Sequence, residues 1–159
     1  MSISSANAVG EKTRRVETLN SGTSWTVPAK VLYVNATLIG GGGAGGRAAN
    51  DGSGFPAGDA TGGQIISTTV TTTPGASIVY AIGAAGTTAP GNDTSGGSGG
   101  STTFTGATTA AGGNGGGNGN PASPNSGLSA SNYSQGTFRG GNSGVPAGAG
   151  QIILEYWYA

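Results

Sequence analysis

Glycine constrains this chain more than any other residue: it occupies 35 of 159 positions, about three times the usual share of roughly 7%. Without a Cβ, glycine loses more conformational freedom on ordering than any other residue. It also costs a helix about 1 kcal/mol per position relative to alanine. Helices are disfavoured accordingly, and no window carries apolar residues at the i, i+3, i+4, i+7 spacing of an amphipathic one. A collagen triple helix is excluded, because it needs glycine at every third position and these glycines cluster instead.

Between the clusters the sequence alternates as strands do, with successive side chains on opposite faces. In Val31–Ile39 it puts Leu32, Val34, Ala36 and Leu38 on one face and Tyr33, Asn35 and Thr37 on a more polar one. Residues 64–73 place Ile66 and Val70 inward among threonines, and residues 76–83 alternate Ile78, Tyr80 and Ile82. Thr73-Pro74-Gly75-Ala76 has Pro and Gly at the centre of a type II turn, so 64–73 and 76–83 are expected to form a hairpin. Weaker strands are expected at 12–19, at 24–27 ending before Pro28, and at 101–105 carrying Phe104. The chain closes on 151–158, with Ile152, Leu154 and Tyr156 on one face and Ile153, Glu155 and Trp157 on the other. The expected fold is all-β: a small, jelly-roll-like β-sandwich with long glycine-rich loops. Residues 1–20 form an attachment segment and 21–159 the glycine-rich β domain. Strands 12–19 and 151–158 are expected to offer exposed edges to another chain.

Ordering backbone costs roughly 1–2 kcal/mol per residue, so glycine loops with few side chains to pack are either disordered or packed backbone against backbone. Polyglycine in the three-residue turn of polyproline II keeps its N–H donors, and adjacent segments can satisfy one another. Segments 40–46, 95–100, 112–119 and 140–144 have the composition for such polyglycine-II-like packing.

Charge is sparse and balanced, with six basic and six acidic residues. That argues against a nucleic-acid partner, which needs a clustered basic surface. No apolar run approaches the roughly 20 residues of a membrane-spanning helix, and residues 1–10 lack the apolar core of a secretory signal. Cysteine and histidine are both absent, which removes thiolate and imidazole metal ligands and the usual nucleophile–base pairs. No cofactor and no catalytic role are expected. Gly41–Gly46 formally fits a dinucleotide-binding glycine pattern, but the residues that follow do not make the helix that would hold a pyrophosphate. Asp51 and Asp59 share a loop. They fit a glycosidase pair or a calcium loop, and fit turn-forming residues better, as in Asp51-Gly52 and Gly58-Asp59. Phe55, Tyr133, Phe138 and Arg139 are the candidate contact residues for a receptor or partner. Each is an aromatic or arginine set in a Gly/Ser/Asn-rich loop, and such residues dominate binding hot spots. The competing reading is that they anchor their loops.

Gly22-Thr23-Ser24-Trp25-Thr26-Val27-Pro28, followed by Val31 to Gly46, resembles the glycine-rich domain of phage tail proteins. There a similar opening leads into a strand and then a polyglycine run. Further resemblances follow in the same order: Thr73-Pro74-Gly75, Ile82–Gly86, Gly96–Phe104 and Gly150–Trp157. The resemblance spans about residues 20–158. It implies a sandwich-like module of a tail fibre, tail tip or other appendage of the virion, assembled in the host cytoplasm. Implied partners are other virion proteins, further copies in a homotrimer, and a host cell-surface receptor or glycan. The family brings no catalytic residues. The alternative is a capsid or tail decoration or adaptor protein with no receptor binding.

Overall fold

The structure, a computed structural model, describes residues 12–47, 60–118 and 147–158. It holds seven strands: β1 (Thr13–Leu19), β2 (Ser24–Thr26), β3 (Tyr33–Ile39), β4 (Ile65–Thr71), β5 (Ser77–Ala81), β6 (Thr103–Phe104) and β7 (Gln151–Tyr158). They form two antiparallel sheets, ordered β1-β7-β3-β4 and β2-β5-β6. This is the all-β sandwich the alternation implies.

The core lies between the sheets. Val34, Ala36, Leu38, Ile152 and Leu154 are fully buried from the larger sheet. Trp25, Tyr80 and Phe104 meet them from the smaller one. Trp25 is the largest of these. Its ring centroid lies 6.2 Å from that of Phe104 and 5.7 Å from that of Tyr156, both tilted, within the range where aromatic pairs attract beyond their buried area.

Three expectations are corrected. Residues 64–73 and 76–83 do not form a hairpin, although the turn between them forms: the Ala76 N–H donates to Thr73 O at 3.0 Å and Gly75 has φ 79°. A type II turn does not match the twist of a two-residue hairpin. Here it carries the chain from β4 in one sheet to β5 in the other, where the Gly75 N–H donates to Val27 O and the Val27 N–H to Ala76 O. Leu32 is exposed and Val31 is buried in its place. Lys30 sits in the left-handed region (φ 67°) and the Val31 N–H turns back to Pro28 O, so regular alternation starts only at Tyr33. Finally, β7 is not an edge. It pairs with β1 on one side and β3 on the other, because its inward residues Ile152, Leu154 and Tyr156 fill the middle of the core.

The glycine segments pack as ordered backbone. Six stretches, residues 40–47, 60–64, 83–87, 94–100, 111–117 and 147–150, lie side by side, joined by main-chain hydrogen bonds. Residues 40–47 occupy the centre and bond to each of the other five. Donors along it rotate with a period of three: Gly40 and Gly43 to Gln64 and Thr61, Gly41, Ala44 and Arg47 to Gly100, Gly97 and Thr94, and Gly42 to Gly148. That is the signature of a three-residue turn surrounded by neighbours. Every third residue faces the same partner, and backbone polar groups find partners without a sheet. The expected segments 40–46, 95–100 and 112–119 take part over their described residues, 140–144 lies outside the described residues, and 60–64, 83–87 and 147–150 join unforeseen.

Closeness explains the composition. A Cβ on Gly43 would lie 2.1 Å from Asn114 O, one on Gly46 1.9 Å from Gly117 O, and one on Gly99 2.1 Å from Gly41 O. These contacts are with backbone, which cannot swing aside.

Thr102 joins bundle to sandwich. It is fully buried. Its hydroxyl donates to Ile39 O at the end of β3 (2.6 Å) and accepts from the Gly83 N–H after β5 (3.0 Å). A buried polar group that loses its partner costs about 1–3 kcal/mol. Thr102→Val should therefore cost about 2–5 kcal/mol in chemical denaturation, and Thr102→Ser, which keeps the hydroxyl and loses one buried methyl, about 1 kcal/mol. Gly43→Ala should destabilise by about 3 kcal/mol or more, lowering Tm by about 6–12 °C. Gly91→Ala, where a Cβ meets nothing within 4 Å, should be neutral or stabilise by up to about 1 kcal/mol.

Candidate functional site

The hydrogen-bond register gives the molecule two ends. Gln151 pairs with Ile39, and both strands continue directly into or out of the glycine bundle. At the other end of β7, Tyr158 pairs with Thr13, so the described chain begins remote from the bundle. Residues 40–47 run away from the sandwich. Residues 60–64 and 94–100 run back along them, pairing Gly40 with Gln64 and Gly41 with Gly100, and residues 111–117 run outward again. The chain therefore leaves at Arg47 and Asn118 at the far end of the bundle. It re-enters part-way along the bundle, at Ala60 near the level of Ala44 and at Ala147 near the level of Gly42.

Phe55, Tyr133, Phe138 and Arg139 lie outside the described residues, as do Asp51 and Asp59. Their chain positions fall in the two stretches, 48–59 and 119–146, that the bundle interrupts. Among the described residues, no group of three or more His, Cys, Asp or Glu side chains converges as a metal site.

A second site, not foreseen, forms at the opposite end. Arg15, Glu17, Pro28, Ala29, Tyr156 and Tyr158 line an open groove of about 410 Å³. β1 and β7 supply its floor, because Arg15 and Glu17 stand two residues apart on the inner face of β1, in register with Tyr156 and Leu154. The connection from β2 to β3 supplies the Pro28–Ala29 wall. Glu17 is held in place: its Oε2 accepts from Trp25 Nε1 at 2.8 Å and from Tyr156 Oη at 3.1 Å. Burial pushes the Tyr156 phenol above its ordinary 10.0, and the neighbouring Glu17 carboxylate adds to the effect. The Tyr158 side chain hydrogen-bonds to Arg15 and, with the negative potential of the two phenols, raises the already high pKa of the guanidinium further. The groove thus offers one fixed anion and, two residues along, one exposed cation beside tyrosine rings. The signal in the sequence was parity: counting inward from Leu19 by twos gives Glu17 and Arg15, opposite the inward face of the last strand.

The outer face of the larger sheet is polar. Thr37 bonds to Ser67 and Thr69 to Asn35, each at 2.8 Å, and Arg14 pairs with Glu155. Exposed pairs of this kind contribute about 0–1 kcal/mol, and this face serves as the wet side of an antiparallel sheet.

Because the folded state holds Tyr156 protonated past the pH at which an unfolded tyrosine ionises, the unfolded chain releases its proton first as pH rises through about 10. Stability should fall with increasing pH above about 10, and Tyr156→Phe should flatten that slope while leaving the neutral-pH profile of denaturation similar in shape.

A family model described as a glycine-rich domain matches residues 18–156. No curated protein matches the chain.

Proposed function

The chain belongs to the glycine-rich domain family, and we propose that it is a structural protein of a phage particle, a tail fibre or tip component that helps bind a host receptor. The particle assignment draws on the order of motifs from Gly22 to Trp157, which resembles that of phage tail proteins. The receptor-facing role draws on the geometry of the bundle. Its backbone is fixed by hydrogen bonds that need no side chains, and at its far end the chain leaves at Arg47 and Asn118. Residues 48–59 follow Arg47 and residues 119–146 follow Asn118 in the sequence. A rigid scaffold carrying variable connections is a common way of building a binding surface. Phe55, Tyr133, Phe138 and Arg139 fall within these stretches, while residues 1–11 precede the opposite end, where attachment to the particle belongs.

Competition for adsorption tests this reading. Purified protein should block virions from binding host cells in a dose-dependent way. Combined Tyr133→Ala, Phe138→Ala and Arg139→Ala should weaken that block by more than about tenfold while denaturation stays that of the parent. No competition at saturating protein, with the protein still present in particles, would overturn the receptor role and favour a decoration or adaptor protein.

A further inference from the structure

We propose that two copies of this chain pair through β1, antiparallel and about a two-fold axis at Val16, so that the two larger sheets become one continuous sheet. β1 is seven residues long and sits at the outside of its sheet. The other outside strand of that sheet, β4, is as long but carries no charged residue, and residues 106–108 lie against its inward side chains, where the Thr108 N–H reaches the Thr68 hydroxyl and a Cβ on Gly106 would meet Val70. In the smaller sheet the outside strands are only three and two residues long. β1 and β4 are thus the two long outside strands among the described residues, the kind that recruit another strand, and β1 is the one whose inward side carries both an arginine and a glutamate.

The charges on β1 select both the partner and the register. In a continuous sheet, directly opposed residues share a face, so inward residues must oppose inward residues. Centring on Val16 sets Arg15 opposite Glu17 of the partner copy and Glu17 opposite the partner's Arg15, on the groove side. The outer face then sets Val16 against the partner's Val16 and Arg14 against the partner's Thr18. A shift of one residue in the centre, to Arg15, opposes Arg15 to itself. The opposite shift, to Glu17, opposes Glu17 to itself. Like charges directly opposed are destabilising and opposite ones favourable, so of these three registers the one centred on Val16 is favoured, and it alone opposes Arg15 and Glu17. Glu17 is held before the partner arrives, by Trp25 and Tyr156. Val16, 49% exposed in the single chain, gains a cover. The interface is isologous, as two-fold pairing requires, and it leaves the far end of the bundle untouched.

Sedimentation of the full chain should show a dimer. Arg15→Glu, which sets Glu opposite Glu twice, should weaken dimerisation by on the order of tenfold or more, and Arg15→Glu with Glu17→Arg should restore it. Because Glu17 supports Trp25 and its loss can disturb the fold, a second measurement stands apart from charge. The chain has no cysteine, and directly opposed Cα atoms lie about 4.5–5.5 Å apart, within disulfide reach. Val16→Cys should cross-link to a covalent dimer on mild oxidation, and Thr18→Cys, whose counterpart is displaced by four residues, should not. A monomer, a trimer, or equal cross-linking of the two variants would overturn the proposal.

Discussion

Everything in this molecule depends on how closely two backbones approach when neither has a side chain between them. In a sheet, strands touch edge to edge and side chains occupy the faces. In the glycine bundle the central stretch, residues 40–47, touches neighbours all round, and the added Cβ positions fall about 2 Å from neighbouring backbone carbonyls. That separation is far inside van der Waals contact, so the arrangement exists only where glycine stands. What offsets the ordering cost of so many glycines is not apolar burial. It is the repeated pairing of N–H and C=O groups between stretches, one donor to each of several neighbours in a repeat of three along residues 40–47. Hydrogen bonds gain little net free energy individually, so the bundle stands by being cooperative and by being seeded.

The sandwich is the seed. β3 delivers the central stretch, β5 delivers residues 83–87, and β7 receives residues 147–150, so three strands set the positions of three bundle segments before any glycine contact forms. Thr102 fixes the junction by answering the last carbonyl of β3 and the first amide beyond Ile82 with one hydroxyl. Gly150 must be glycine for the same reason, since a Cβ there would sit 2.3 Å from that hydroxyl and 2.4 Å from Ile39 O. In return the bundle closes one end of an otherwise small core, covering Ile39 and Ala110.

The strands were legible because alternation is a local property, and β3, β5, β6 and β7 follow it closely. The packing of the glycines was legible in kind, since composition left only disorder or backbone contact. Its partners were not: residues 60–64 and 147–150 carry too few glycines to announce themselves and are recruited by three-dimensional position. The failed hairpin has a similar cause. Thr73-Pro74-Gly75-Ala76 encodes its turn locally, while the destination of the strand after it depends on β2, some fifty residues earlier. Leu32 misled because the alternation was carried back to Val31, whereas the positive φ of Lys30 and the turn of the Val31 N–H to Pro28 O delay the strand to Tyr33. As for sites, the sequence pointed to aromatics in glycine-rich stretches outside the described residues. It passed over Arg15 and Glu17, whose significance arises only when β1 lies against Tyr156 and Tyr158.

This division places the chemistry at the ends and the rigidity between them. At the bundle glycines where a Cβ would meet neighbouring backbone, side chains are excluded by contact, so those positions have almost no freedom to vary. On the reading proposed above, recognition belongs to residues that follow Arg47 and Asn118 in the sequence and to β1. The scarcity of charge sharpens this, because an arginine and a glutamate two residues apart on an open edge stand out against a neutral background.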